Sequence, residues 1–285
     1  MIALLLPYRE THFHHVIGSN PIKDLFLITF PRPISEDELP EHFSDPFSDE
    51  PHPLCILAAE KLQKYLRQQD WEHNFGLESE RTENVIGKMF GVLVVRTAGG
   101  EIGYLSAFSG KMGGKNHYPG FVPPVYDGLK EGSFLNLGMQ ELTRINREIE
   151  QLMESQPNDH MEKIDALKDL RRSNSMALQD KVFDHYHFLN KDGEEKSLRE
   201  LFPNNPPGGA GECAGPKLLQ YAFIHHMQPL AMAEFWWGQS PKSGFWKHRQ
   251  FYPACRQKCE PILAHMLWGT KIMHASRQSV LQEPT

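Results

Sequence analysis

Cysteine is scarce in this chain, with four residues in 285. So few thiols, unevenly spaced, exclude a disulfide scaffold and fit a reducing compartment. No apolar run approaches the roughly 18 residues that a membrane span needs, so no membrane partner is expected. The opening Met1-Ile-Ala-Leu-Leu-Leu-Pro7 lacks a basic stretch and is too short in its apolar part for a secretory signal. A cytoplasmic location is expected. Positive charge shows no excess: 30 Lys and Arg stand against 36 Asp and Glu, a formal net charge of −6. That excludes a generally basic nucleic-acid glove but leaves room for a local basic patch. The chain has no His-Glu-x-x-His pair, no Gly-x-Ser-x-Gly elbow and no Gly-Lys-Ser/Thr after a glycine loop. No repeat of solenoid period is visible.

What is present describes a globular protein, 40% apolar and 23% charged, long enough for one large domain or two small ones. Residues 1–50, rich in Pro, His and acidic residues, read as an irregular, poorly anchored arm. Pro53 then suits the first turn of a helix whose Leu54, Leu57, Ala58, Leu62, Tyr65 and Leu66 share one face. Residues 89–96 and 102–108 read as two buried strands joined at Thr97-Ala-Gly-Gly100. Residues 138–181 carry apolar residues at helical spacing, interrupted at Pro157-Asn-Asp159. They predict two antiparallel helices with a narrow seam. Beyond them come a glycine loop at 204–211, a helix with Pro216 in its first turn, a strand over 229–237, a loop over 238–250 and a helix from about Cys255 to Leu267. The expected organisation is an arm (1–50), one domain built from 51–137 and 182–268, an inserted helical hairpin (138–181) and a tail (269–285). The alternation predicts an α/β or α+β layer fold, a small mixed sheet with packed helices.

Three of the four cysteines, Cys213, Cys255 and Cys259, fall where loops open predicted helices. Free backbone amides and the helix dipole favour thiolates at such places. Three thiolates and a water would make an open zinc site. Free cysteine is also a small core residue, and both readings stand. Cys55 lies within an apolar helix and belongs to the core.

Two carboxylates are candidates for acid–base work: Glu212, next to Cys213, and Glu234, inside the apolar Ala-Met-Ala-Glu-Phe-Trp-Trp run. An unpaired carboxylate in such a strand costs several kcal/mol, so Glu234 needs a partner or a raised pKa. It is either an acid–base group or ligand anchor, or half of a buried ion pair with a neighbouring Lys or Arg. Trp236, Trp237 and Trp246 interleave with Lys242, Lys247, His248 and Arg249, a mixture that stacks bases and grips phosphates. Alternating core and surface residues would look the same. Arg171-Arg172 adds a small basic cluster. Gly208-Gly-Ala-Gly211 is either a phosphate cradle before a helix or a plain linker. His12, His14 and His15 lie in the arm, and His225-His226 ends a predicted helix.

Residues 89–108 and 208–268 resemble the core of the cytidine deaminase-like fold. That fold draws its zinc ligands from the starts of two helices with a strand between them, and adds a glutamate that moves protons without binding the metal. The chain departs from the pattern twice. Gly215 stands where the glutamate is usual, with Glu212 on the other side of Cys213, and the pair is Cys-x-x-x-Cys instead of Cys-x-x-Cys. With a helix over 255–267, both sulfurs of that pair would share one face.

From about residue 40 onward the chain also resembles the long N-terminal region of certain large bacterial RluA-family pseudouridine synthases. The strings that carry this include Pro51-His-Pro-Leu-Cys55, Trp71-Glu-His-Asn-Phe-Gly76, Gly103-Tyr-Leu-Ser-Ala-Phe-Ser-Gly-Lys111, Phe121-Val-Pro-Pro-Val-Tyr126, Gly211-Glu-Cys-Ala214 and Leu230-Ala-Met-Ala-Glu-Phe-Trp-Trp-Gly238. The isomerase's His-Arg-Leu-Asp motif is absent. The resemblance therefore implies an accessory module without isomerase activity of its own. Such a module would bind structured RNA (rRNA or tRNA), or position it for a pseudouridine synthase catalytic domain in cis or in trans. Truncation, a split gene or a remnant would each produce such a chain. The helical arm offers a further role, docking a protein partner.

Overall fold

A computed structural model describes residues 25–77, 85–155 and 160–273. Its centre is a five-stranded sheet built from β1 (Ile28–Thr29), β3 (Lys88–Arg96), β4 (Ile102–Phe108), β7 (Gln228–Trp237) and β8 (Phe251–Tyr252), in the order β1-β4-β3-β7-β8. Every pairing in this sheet is antiparallel. The mixed pairing expected from the sequence is not found there. β3 and β4 form a tight hairpin closed by Gly100 at φ +83°, and β7 returns against β3. The parallel pair is a separate one, β2 (Phe43–Ser44) with β9 (Ile272–Met273).

Residues 25–50 are anchored, contrary to the arm expected there. β1 extends the sheet beside β4, and Leu27, Phe30 and Phe43 are buried. Ser44 accepts the Met232 amide at 2.9 Å and so ties this segment to β7. The histidines at 12, 14 and 15 lie outside the described residues, as does the end of the expected tail.

Two helices sandwich the sheet. On one face lies α1 (Pro53–Arg67), with His52 capping the Leu54 amide and Pro53 in the first turn. Between α1 and the sheet sits a dry core containing Phe90, Phe108, Phe121, Phe235 and Trp237. Phe108 and Phe121 meet edge to face at 5.3 Å, and Phe90 and Phe235 stack at 6.0 Å. Such pairs add about 0.5–1.5 kcal/mol each beyond their buried area. On the other face lies α5 (Ala214–Ile224), apolar nearly all round and packed on β3, β4 and β7. Its close approach requires Gly91, because a Cβ there would stand 2.9 Å from that of Ala214. Beneath α5 lie α6 (Glu260–Met266), the short α4 (Leu198–Leu201) and the hairpin of β5 (His187–Leu189) with β6 (Glu195–Ser197).

Two long helices, α2 (Phe134–Ser155) and α3 (Met161–Asp184), outrun the 138–181 bounds expected for this region. Lys163 pairs with Glu148 at 3.0 Å, and Leu178 lies against Gly138, so the two run in opposite directions. Their seam is narrow: Ile145, Ile149 and Ile164, flanked by Leu152 and Leu167. The far end of α3 is part of the main core, through Phe183. Among the described residues no helix is long and apolar enough to cross a membrane.

The chain directions position the site. β3 begins, β4 ends, β7 ends and α5 begins at the same end of the sheet, because Lys88 pairs with Trp237 and Phe90 with Phe108. Whatever chemistry those termini carry is gathered there.

Candidate functional site

Cys213 is the N-cap residue of α5, and Cys259 is the N-cap residue of α6. Neither thiol caps its own helix. The thiols of Cys213, Cys255 and Cys259 are free and act on one another. The expected helix over 255–267 is shorter: α6 starts at Glu260, and residues 256–259 are turns. Cys255 and Cys259 are therefore joined by a single turn, with the Cys259 amide donating to the Cys255 carbonyl at 3.0 Å. The Arg-Gln-Lys insert ahead of Pro261 makes this turn where a longer helix was expected. The Lys258 amide donates to Cys255 Sγ at 3.3 Å.

The charge on this cluster is unevenly held. Interactions with Cys213 and then Cys259, with backbone amides added, lower the Cys255 thiol from the ordinary range. Cys255 pushes Cys213 up to about 12 while Cys259 pulls it down, and both neighbours raise Cys259. The three thiols therefore titrate as a coupled group. Three cysteine sulfurs are donors of the kind zinc takes. Among the described residues, however, no group of three or more His, Cys, Asp or Glu side chains stands in an arrangement that could hold a metal ion.

Glu234 lies opposite Gly91 on β3 and Tyr252 on β8. Its side chain is buried on the α5 face of the sheet, and its Oε1 accepts the Gly215 amide at 2.9 Å. That amide is one of the free donors in the first turn of α5. Burial pushes the carboxyl up to about 7, against the pull of the Gly215 bond. The partner of Glu234 is therefore a backbone amide and not the Lys or Arg of a buried ion pair, and its carboxyl is raised. All three cysteines feel this carboxylate. A Cβ on Gly215 would press on Met232 Cε at 3.1 Å and make an ordinary contact with Glu234 Oε1 at 3.5 Å.

Glu212 faces elsewhere. It accepts the Tyr186 hydroxyl in a short hydrogen bond, and its Oε2 is 4.0 Å from Lys217 Nζ. Gly211, at φ +86°, permits this approach, because a Cβ there would stand 2.7 Å from the Tyr186 ring. The 208–211 glycines thus serve chain geometry beside Tyr186. Lys217, Lys88 and the Gly215 amide were not singled out from the sequence. A lysine one turn into an otherwise apolar helix was the available signal for Lys217.

The aromatic-basic candidates divide. Trp237 is 1% exposed and packs in the α1-side core, where no base can stack on it. His248 accepts the Gly238 amide at 3.1 Å and lies against Trp237. Arg249, at φ +67°, donates to Gln63 at 2.7 Å. Strand alternation turns Trp237 inward, while His248 and the exposed Arg249 hold the loop through these contacts. Trp246 stacks on Trp236 at 5.8 Å, beside an exposed Phe245, and Lys242 and Lys247 are exposed. Arg171 and Arg172 lie mid-way along α3, whose packing partners are α2 and α4.

No protein family matches the chain, and no curated protein or solved structure is significantly similar to it.

Proposed function

We propose that this chain is a deaminase-like module that holds zinc on Cys213, Cys255 and Cys259 and acts on a nucleobase, with Glu234 as its proton carrier. The observation that carries this reading is Glu234 Oε1 on the Gly215 amide, beside the three clustered thiols. The deaminase pattern wants a glutamate at position 215. Here a carboxylate from the neighbouring strand stands against that position, on the Gly215 amide. The antiparallel β3–β4 hairpin, and two helices opening at cysteines with β7 between them in sequence, support the same layer arrangement.

Bound zinc would supply the Lewis acidity that activates water toward displacement of an exocyclic amine. Glu234, with its carboxyl near 7, exchanges a proton readily at neutral pH: it takes one from water and returns it to the departing ammonia. The Gly215 amide fixes the carboxylate's orientation, and burial excludes bulk water from it. The test is ammonia release from cytosine- and adenine-bearing nucleosides, nucleotides and RNA. Glu234→Gln is expected to lower it by about 10²–10⁴-fold. Ammonia release at the same rate from wild type and Glu234→Gln would refute the role.

A second reading is an accessory RNA-binding module of an RluA-type synthase, without isomerase activity. The Trp236–Trp246 stack, with exposed Phe245, Lys242 and Lys247 around it, favours this reading. It predicts RNA affinity that falls with salt and with Trp246→Ala.

A further inference from the structure

Three lysines converge next to Cys213, and they face one carboxylate. Lys217 is 3% exposed, and its Nζ donates to the carbonyls of Phe108 and Gly110, each at 3.0 Å. It is the lysine that Glu212 Oε2 approaches, at 4.0 Å. The other oxygen of Glu212 is engaged by the Tyr186 hydroxyl. Lys88, at the start of β3, is half-buried; among the described residues its Nζ hydrogen-bonds the Ser109 carbonyl, at a long 3.5 Å, and it feels the Glu212 carboxylate. An ammonium has three donors, and a contact of that length satisfies one of them poorly. Lys111, exposed on the following turn, is close enough to Lys88 for mutual repulsion. Among the described residues no carboxylate forms an ion pair with Lys88 or Lys111. The next cation along, Lys115, is paired with Glu72 at 3.6 Å.

The backbone holds this group against the thiol site. Gly110, at φ +59°, donates its amide to the Glu212 carbonyl at 2.8 Å, one residue before Cys213. The turn after β4, which bears Lys111 and whose Ser109 carbonyl accepts from Lys88, is thereby fixed to the residue that precedes the α5 N-cap. Glu212 is the carboxylate that acts on both Lys88 and Lys217. The partly buried Lys88 therefore shares its countercharge and also meets the repulsion of Lys111, which is unfavourable for both cations. An anionic ligand would relieve both.

We propose that Lys88 and Lys111 form an anion subsite for the phosphate of a nucleotide whose base enters the Cys213–Glu234 site. This rests on the reading of that site as one that acts on a nucleobase. A phosphate suits two separate ammonium groups, because lysine meets it as a point charge and each oxygen takes its own donor. The same chemistry comes from a free mononucleotide or from a nucleotide within single-stranded RNA.

The test is a binding titration of the full chain with cytidine and adenosine, with their 5′-monophosphates, and with a short single-stranded RNA. It is run on wild type, Lys88→Gln/Lys111→Gln, Lys111→Gln and Glu234→Gln. The monophosphates are expected to bind about ten- to a hundredfold more tightly than the nucleosides. The double variant should erase that difference and Lys111→Gln should reduce it. Tighter binding of RNA than of the monophosphates, with a salt slope that falls in the double variant, assigns the phosphate to a strand. Equal binding of the two assigns it to a mononucleotide. Equal affinity for nucleoside and monophosphate in wild type, binding of neither, or an undiminished preference in folded double variant would overturn the subsite. Glu234→Gln separates the two ideas. If it leaves ammonia release unchanged while the phosphate preference persists, the deaminase reading falls and the subsite stands.

Discussion

The two faces of the sheet use the same residue types to different ends. Cys55, on the α1 face, sits mid-helix, fully buried among Leu, Ala and Phe, and desolvation raises its thiol far above the ordinary range. Cys213, Cys255 and Cys259, on the α5 face, sit at helix starts and on the turn before one, and act on one another's titration. Trp237 and Trp236 divide in the same way, one buried in the α1-side core and the other stacked on Trp246. Placement at an element's end, where backbone donors are free, separates a reactive thiol from a packing one. Residue identity alone does not.

The largest expected effect is on the packed face. Trp237→Ala should destabilise the fold by about 3–5 kcal/mol, read as a lower denaturant midpoint with unchanged slope. A loss below about 1 kcal/mol would break the contrast, since it would make Trp237 a surface residue after all.

On the other face, Glu234 should impose a pH dependence on the metal-free chain. Its folded pKa, about 7, lies above the ordinary 4.5. Between those values the folded chain holds a proton that the unfolded chain has released, so stability falls as pH rises through that window and levels off above it. Glu234→Gln should flatten the slope and raise stability at pH 8 by up to about 3 kcal/mol. An unchanged slope would show that Glu234 is not desolvated in solution.

A smaller effect belongs to the contact between sheet and site. Gly91→Ala would bring a Cβ within 2.9 Å of Ala214, the first residue of α5. Overpacking of this kind costs about 1–3 kcal/mol, and it should loosen metal uptake together with stability. A variant as stable as wild type would mean that α5 is free to shift.

The smallest effect leaves stability untouched. Mild alkylation at pH 6, read by peptide mass mapping of metal-free protein, should mark Cys255 first and Cys55 last. The reverse order would remove the distinction between the faces.

Much of the scaffold was legible in the sequence. The Met89-Phe-Gly-Val-Leu-Val-Val run, its glycine turn and the returning strand are a hairpin because β-branched and aromatic residues suit a sheet buried on both faces. Pro53 marked the start of α1. The three cysteines were legible as residues at loop–helix junctions, which are local features. What escaped was tertiary. Strand direction brings Glu234 to the Gly215 amide across 19 residues, and no spacing rule carries that. Alternation along β7 decides that Trp237 points inward while Trp236 does not, and the phase of that alternation depends on pairing with β3. Residues 25–50 looked irregular because two-residue strands carry no periodicity, although their Leu27, Phe30 and Phe43 fill core positions.

The central claim is that the α5-face thiols hold a metal and the α1-face thiol does not. Elemental analysis of protein purified without chelator tests it, on wild type, Cys213→Ala and Cys55→Ala. The account predicts about one zinc per chain in wild type and Cys55→Ala, and none in Cys213→Ala. No zinc in wild type, or zinc retained in Cys213→Ala, would contradict it.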